Sequence, residues 1–124
     1  MNNKDTIVSI ATPMGTGAIS VIRCSGNAVK NIIKIFFNKN LSPRKSHYLN
    51  LMSEKQILDD VIAIYYESPK SYTGEDMLEI MCHGGPVMYQ LIIDEVLEVE
   101  TCRLAQAGEF SERSFLNNKM SLRI

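Results

Sequence analysis

Residues Ser71-Tyr-Thr-Gly-Glu-Asp-Met-Leu-Glu-Ile-Met-Cys-His-Gly-Gly-Pro86 carry the strongest structural signal in the chain. The apolar run that begins at Met77 predicts a β-strand, and Pro86 suits the first position of a helix that follows the two glycines. Side chains alternate along a strand, so Met77, Glu79 and Met81 share one face. A carboxylate between two methionines is costly to bury without a partner. A small-molecule contact at Glu79 is therefore the first hypothesis.

Arg23 is a second ionisable residue on an apolar strand. It ends the pattern Ile19-x-Val21-x-Arg23, on the same face as two β-branched residues. A guanidinium there can bind a carboxylate through two hydrogen bonds, and that carboxylate belongs either to a ligand or to Glu79. A purely structural ion pair, or an arginine that reaches solvent from the strand end, explains the same pattern. The spacing alone leaves these alternatives open.

Composition is typical of one globular domain. The chain has 124 residues, 45% of them hydrophobic, and a net charge of -1, so no global positive field draws it to nucleic acid. The three cysteines are far apart in sequence and form no zinc pattern with His47 or His83. No apolar run reaches about 18 residues and no signal peptide is present. These features predict a cytoplasmic protein of bacterial type that does not enter a membrane.

The chain as a whole predicts an α+β fold with one mixed, mainly antiparallel sheet and about three helices. Strands are expected at residues 6–11, 18–24, 47–52, 59–66, 76–82 and 102–105, and helices at 28–37, from 86 onward and at 109–117. Gly26-Asn27 is expected to cap the first helix. Both faces of strand 59–66 are apolar, which predicts a strand covered on two sides. In the second helix, the i,i+4 pairs Val87/Leu91, Met88/Ile92, Ile92/Val96 and Ile93/Leu97 are expected along the buried side.

The remaining polar residues each have an ordinary structural explanation. Gly84-Gly85 before a helix can receive an anion, but a turn that needs unusual backbone angles is the simpler reading. His83 has no adjacent nucleophile, so a hydrogen-bonding role is favoured over acid–base catalysis. Glu109 suits the dipole of its helix and Lys119 reads as a surface lysine. The sequence contains no phosphate-binding loop, no GxSxG motif and no metal-ligand cluster, so no catalytic or metal-binding residue is predicted.

A series of motifs nevertheless resembles one family over nearly the whole chain, namely the N-terminal domain of the MnmE/TrmE tRNA-modification GTPases. The motifs are Asp5-Thr-Ile-Val, Ala11-Thr-Pro, Gly15-x-Gly17, Ile22-Arg23-x-Ser-Gly26, Ser71-Tyr-Thr-Gly-Glu-Asp76, His83-Gly-Gly-Pro86, Gly108-Glu-Phe-Ser-Glu-Arg113, Phe115-Leu-Asn117 and Lys119. Met14, Thr16 and Ala107 depart from the family pattern in loops. Residues 121–124 depart from it more seriously.

The resemblance implies a folate-binding domain that also forms a homodimer. The implied ligand is 5-formyl- or methylene-tetrahydrofolate, and the family's contacts fall on Arg23, Glu79 and Lys119. A carboxylate such as Glu79 can accept two hydrogen bonds from the amino group and ring N–H of a pterin. Residues near these contacts are implied as supporting groups: Glu75, His83, Glu109 and Arg113.

The resemblance also implies a larger assembly. Residues 1–119 correspond to the folate-binding and dimerisation domain, and residues 120–124 to a truncated start of a helical domain, with the G domain absent. In the full-length protein, GTP, Mg²⁺ and K⁺ bind elsewhere. With the FAD-dependent partner MnmG/GidA, that protein adds a carboxymethylaminomethyl group to the wobble uridine of certain tRNAs. A stand-alone folate-dependent one-carbon transferase that uses His83, or a purely structural dimerisation domain, remain the alternatives.

Overall fold

The computed structural model describes residues 4–11 and 19–118, which form six strands and three helices. The strands are β1 (Thr6–Ile10), β2 (Ile19–Ser25), β3 (Ser46–Ser53), β4 (Gln56–Tyr66), β5 (Met77–His83) and β6 (Cys102–Leu104). The helices are α1 (Val29–Phe37), α2 (Pro86–Leu97) and α3 (Glu109–Leu116). Within these residues no helix is long and apolar enough to cross a membrane.

All six strands join one sheet in the order β3-β4-β5-β2-β1-β6. Every neighbouring pair is antiparallel except β1 and β6, which are parallel. The predicted mixed, mainly antiparallel α+β fold is confirmed. At the centre of the sheet β2 pairs with β5 in a register that puts Arg23 directly opposite Glu79.

One face of the sheet packs against α1 and α2 to form the hydrophobic core. Inward side chains alternate along each central strand, as in Ile22 and Cys24 of β2 or Leu78, Ile80 and Cys82 of β5. The helices contribute the buried residues Val29, Ile32, Ile33, Phe36, Phe37, Ile92, Ile93 and Val96. The expected buried side of α2 is confirmed for Ile92, Ile93 and Val96 and wrong for Val87 and Leu91. They are 74% and 43% exposed, because the helix is rotated so that Ile92 and Val96 face the sheet.

The second face of the sheet is covered only in part among the described residues. The loop between β4 and β5 and helix α3 pack against β1, β2 and the start of β5, where Ile7, Ser25 and Met77 are buried, while β4 stays largely open. On β4, Val61, Ala63 and Tyr65 are buried, while Ile62 is 37% exposed and Ile64 and Tyr66 are partly exposed. The prediction that this strand is covered on both sides is therefore wrong for this chain. Apolar side chains on both faces of a strand favour contact with other apolar groups, but they do not show that a second layer of structure packs there. Arg23 and Glu79 lie on this second face, beside its covered part.

The start of α2 follows its sequence signal, and the start of α1 departs from its own. Pro86 is the first residue of α2, after Gly85 at a φ of 105°, so the two glycines form a turn. Asn118 at a φ of 61° follows the end of α3. At α1 the expected local cap is replaced by a distant one, because the Ala28 N–H donates to Oγ1 of Thr6 in β1 at 2.8 Å.

Candidate ligand site

The centre of the candidate site is the cross-strand pair of Arg23 and Glu79. The Arg23 guanidinium donates from Nε and Nη2 to Oε2 of Glu79, at 3.0 and 2.7 Å. The Arg23 and Glu79 side chains are 31% and 17% exposed, so the pair is neither fully buried nor freely solvated. The ion pair that the sequence left as an alternative is thus formed. Because it stays partly accessible on the second face of the sheet, it also offers charged groups to a ligand.

Tyr66 engages the other oxygen of the same carboxylate. Its hydroxyl donates to Oε1 of Glu79 at 3.1 Å. Burial, and secondly the charge of Glu79, raise the pKa of Tyr66 above its ordinary value, so the phenol keeps its proton as a donor. Both carboxylate oxygens are therefore oriented by donors. Oε2 accepts two hydrogen bonds, whereas Oε1 accepts one and keeps a lone pair for a further donor.

Aromatic rings flank the guanidinium. The Arg23 Cζ atom lies 5.9 Å from the centroid of Tyr72 and 5.9 Å from the centroid of Phe110, within the range of cation–π attraction. Beside them is a cavity of about 350 Å³, lined by Arg23, Tyr66, Tyr72, Met77 and Glu79. That volume is in the range of small-molecule sites, which combine apolar walls with a few fixed polar groups.

A hydrogen-bonded loop between β4 and β5 positions Tyr72. The Ser25 hydroxyl donates to Oε1 of Glu75 at 2.7 Å, so its 2.7 Å contact with Thr73 must be a bond that the Thr73 hydroxyl donates. The Tyr72 carbonyl oxygen accepts from the Ser114 hydroxyl at 2.8 Å. The loop is thereby tied to β2 on one side and to α3 on the other.

A buried chain of charges joins this loop to α3. Arg113, 1% exposed, donates from Nη1 to Oε1 of Glu75 at 3.0 Å, and its Nη2 lies 3.4 Å from Oε2 of Glu109. Arg103 donates to both oxygens of Glu109, at 2.8 and 2.6 Å, and to Asp5 at 2.9 Å. The Arg103 bond is the main cause that lowers the pKa of Glu109 to about 2. Of the residues predicted to support the site, Glu75, Glu109 and Arg113 hold its walls in place and do not line the cavity.

His83 lies apart from this group. It ends β5 four residues after Glu79, about 13 Å away at the usual rise of a strand. Its Nδ1 is 2.8 Å from Oδ1 of Asp59, and that bond is the main cause that raises the pKa of His83. The structure therefore does not bring His83 to the Arg23 cavity. Lys119, the third predicted contact, lies outside the described residues.

The comparisons with known proteins agree with the resemblance in the sequence. Residues 6–119 match the family described as GTP-binding protein TrmE N-terminus. The chain belongs to this family.

Several curated relatives extend the match. The tRNA modification GTPase MnmE of Francisella philomiragia subsp. philomiragia is 47% identical over 122 residues, which cover 98% of this chain and 27% of that protein. Proteins of the same description from Helicobacter acinonychis and Helicobacter pylori are 47% and 48% identical over 120 residues, which cover 96% of this chain and 26% of each relative. This TrmE N-terminal chain thus spans about a quarter of the length of the curated relatives it matches.

Sequence reasoning found the charged pair of this TrmE N-terminal chain but missed the aromatic residues around it. Tyr66, Tyr72 and Phe110 were not predicted as site residues. Tyr66 carried a usable signal, because period-two alternation puts it on the same strand face as Ile62 and Ile64. Tyr72 and Phe110 carried none, since their approach to Arg23 depends on how the loop and α3 pack.

Proposed function

We propose that the chain is the tetrahydrofolate-binding and homodimerisation module of a tRNA-modification GTPase. The observation that carries the folate proposal is the accessible Arg23–Glu79 pair beside an aromatic-walled cavity of about 350 Å³. The amidine-like edge of a pterin matches the carboxylate of Glu79, and planar rings stack favourably on aromatic side chains. Arg23 is suited to a carbonyl, a formyl oxygen or the glutamate tail of 5-formyl- or methylene-tetrahydrofolate. Lys119 is proposed as a third contact.

The decisive experiment is a calorimetric titration of the purified chain with 5-formyl-tetrahydrofolate. Glu79→Gln keeps the shape of the side chain and removes its charge, and hydrogen bonds to charged groups contribute about 1.5–3 kcal/mol. We therefore expect Glu79→Gln to bind at least about tenfold more weakly. Glu98→Gln, an exposed carboxylate at the end of α2, is the matched control and should bind like the wild type. Absence of wild-type binding, or equal binding by both variants, would overturn the proposed site.

The open part of the second face of the sheet supports the homodimer proposal. Ile19, Tyr48 and Ile62 are large apolar side chains that are 59%, 73% and 37% exposed there. A second copy would remove this apolar area from water. Sedimentation equilibrium should show a dimer that Ile62→Glu weakens. A wild-type monomer at micromolar concentration would contradict the proposal.

The wider role is proposed from the family. The full-length protein would act in the cytoplasm on the wobble uridine of tRNA with the FAD-dependent partner MnmG/GidA. GTP, Mg²⁺ and K⁺ would bind to parts of the protein other than this chain. Among the alternatives, a stand-alone transferase that uses His83 fits the geometry poorly, because His83 is about 13 Å along β5 from Glu79. A structural domain that dimerises without binding folate remains an outcome that the titration would reveal.

A further inference from the structure

A second cluster of ionisable side chains lies at the other end of β4 and β5. The two strands are antiparallel, with Ile62 paired to Met81, and the same register continued by two residues brings Asp60 across from His83. Asp59 precedes Asp60 and is 8% exposed, whereas His83 is 66% exposed. The cluster is independent of the cavity at Arg23, because it occupies the far end of β5.

We propose that Asp59, Asp60 and His83 bind a divalent transition-metal ion such as Zn²⁺. One donor atom from each residue lies within 4.8 Å of the other two. The His83 Nδ1 atom is 2.8 Å from Oδ1 of Asp59 and 3.8 Å from Oδ1 of Asp60. Ligands at about 2.0–2.2 Å from an ion are roughly 3.0–3.5 Å apart at octahedral or tetrahedral angles. The observed separations bracket that range, so small side-chain rotations complete the site.

The outer hydrogen bonds of the cluster fix the orientation of both carboxylates. Oδ2 of Asp59 accepts the backbone N–H of His83 at 2.9 Å, which leaves Oδ1 directed at the imidazole. Oδ2 of Asp60 accepts a short bond from the Tyr48 hydroxyl, which leaves its Oδ1 on the same side. Metal sites use this arrangement, in which one oxygen of a carboxylate is held by a fixed donor while the other binds the ion.

The donor set selects the class of ion. An imidazole nitrogen with two carboxylates suits Zn²⁺ and its transition-metal neighbours, whereas Mg²⁺ prefers oxygen ligands alone. Two carboxylates beside one imidazole also leave the cluster negative. On binding, the ion takes the place of the hydrogen between Nδ1 and Asp59, and the neutral imidazole carries its single hydrogen on Nε2. The exposed side of His83 leaves room for water as the remaining ligands.

The test is titration of the tag-free chain with Zn²⁺ by calorimetry and with Co²⁺ by visible absorption. The wild type should bind one ion, and His83→Gln and Asp60→Asn should bind it at least tenfold more weakly. His47→Gln replaces the other histidine of the chain and should leave the affinity unchanged. Tyr48→Phe removes no ligand, only the donor that orients Asp60, and should weaken binding about tenfold at the same stoichiometry.

Several outcomes would overturn the proposal. These are an absence of Zn²⁺ binding by the wild type, equal affinity in His83→Gln, or a thiolate charge-transfer band that puts Co²⁺ on a cysteine. Binding of Mg²⁺ as tight as that of Zn²⁺ would also overturn it. The mutated side chains of His83 and Asp60 are exposed at the surface, and far-UV circular dichroism confirms that each variant is folded before it is titrated.

Discussion

Replacing Arg113 with methionine tests whether the buried charges hold the site loop against α3. Methionine fills much of the arginine volume but removes the guanidinium that contacts Glu75 at 3.0 Å and Glu109 at 3.4 Å. Breaking a buried ion pair from one side typically costs about 3–5 kcal/mol. Here Arg103 still neutralises Glu109 and Ser25 still donates to Glu75. We therefore expect the lower end, a loss of about 3 kcal/mol in the free energy of unfolding.

Urea unfolding followed by circular dichroism measures this loss at constant pH and salt. Arg44→Met changes an exposed arginine in the same way and should shift the free energy of unfolding by less than about 0.5 kcal/mol. The double variant Arg113→Met with Glu75→Gln removes both charges of one pair. It should be more stable than the sum of the single changes predicts, because the two residues are coupled. A loss below about 1 kcal/mol in Arg113→Met alone would refute the reasoning.

Three further predictions follow from other parts of the structure. The folded-state pKa of Glu109 is lowered from 4.5 to about 2. Its ionised form therefore adds about 3 kcal/mol to the free energy of unfolding above pH 4.5, and this stabilisation is lost as the pH falls toward 2. Glu109→Gln should flatten the pH dependence of the free energy of unfolding in that range, and an unchanged slope would contradict the assignment. Gly26→Ala should lower the free energy of unfolding by more than about 2 kcal/mol, because the new Cβ would lie 2.7 Å from a backbone atom of β1. Gly85→Ala is the comparison: its Cβ meets no atom within 4 Å, so it should cost only the strain of positive φ, about 1–2 kcal/mol. Burial raises the pKa of the Cys24 thiol well above its usual range, so thiol reagents should label it only after unfolding; rapid labelling of the native protein would argue against the described core.

Alternation along a strand made the charged pair predictable. Arg23 and Glu79 each interrupt an apolar face, and that anomaly can be seen from one strand at a time. Their direct pairing was not predictable, because the register between β2 and β5 depends on how the whole sheet assembles. The aromatic residues around the pair depend in addition on the loop and on α3.

The charges of α3 show why burial is harder to predict than position. Glu109 and Arg113 read as ordinary charges at the ends of a surface helix, yet both are 1% exposed. Ionisable residues this deep are found in networks, and the partners here are Asp5, Glu75 and Arg103, which are distant in sequence. Spacing within one helix carries no information about such partners.

The cluster of Asp59, Asp60 and His83 illustrates the same limit. The sequence shows no metal-ligand spacing, since the carboxylates and the imidazole are more than 20 residues apart and come from two strands. Antiparallel pairing of β4 with β5 is what brings them together. Short motifs reveal metal sites whose ligands share one turn or helix, and sites assembled across a sheet give no such signal.

The separation of 56 residues between Arg23 and Glu79 has a consequence for folding during synthesis on the ribosome. A ribosome that adds about 5–20 residues per second makes β5 roughly 3–11 s after β2. During that interval β2 cannot pair with β5, and Glu79 is not yet present opposite Arg23. A ligand held by both residues recognises only a chain whose central strands have already joined. Binding of the proposed ligand would therefore select folded domains over nascent chains.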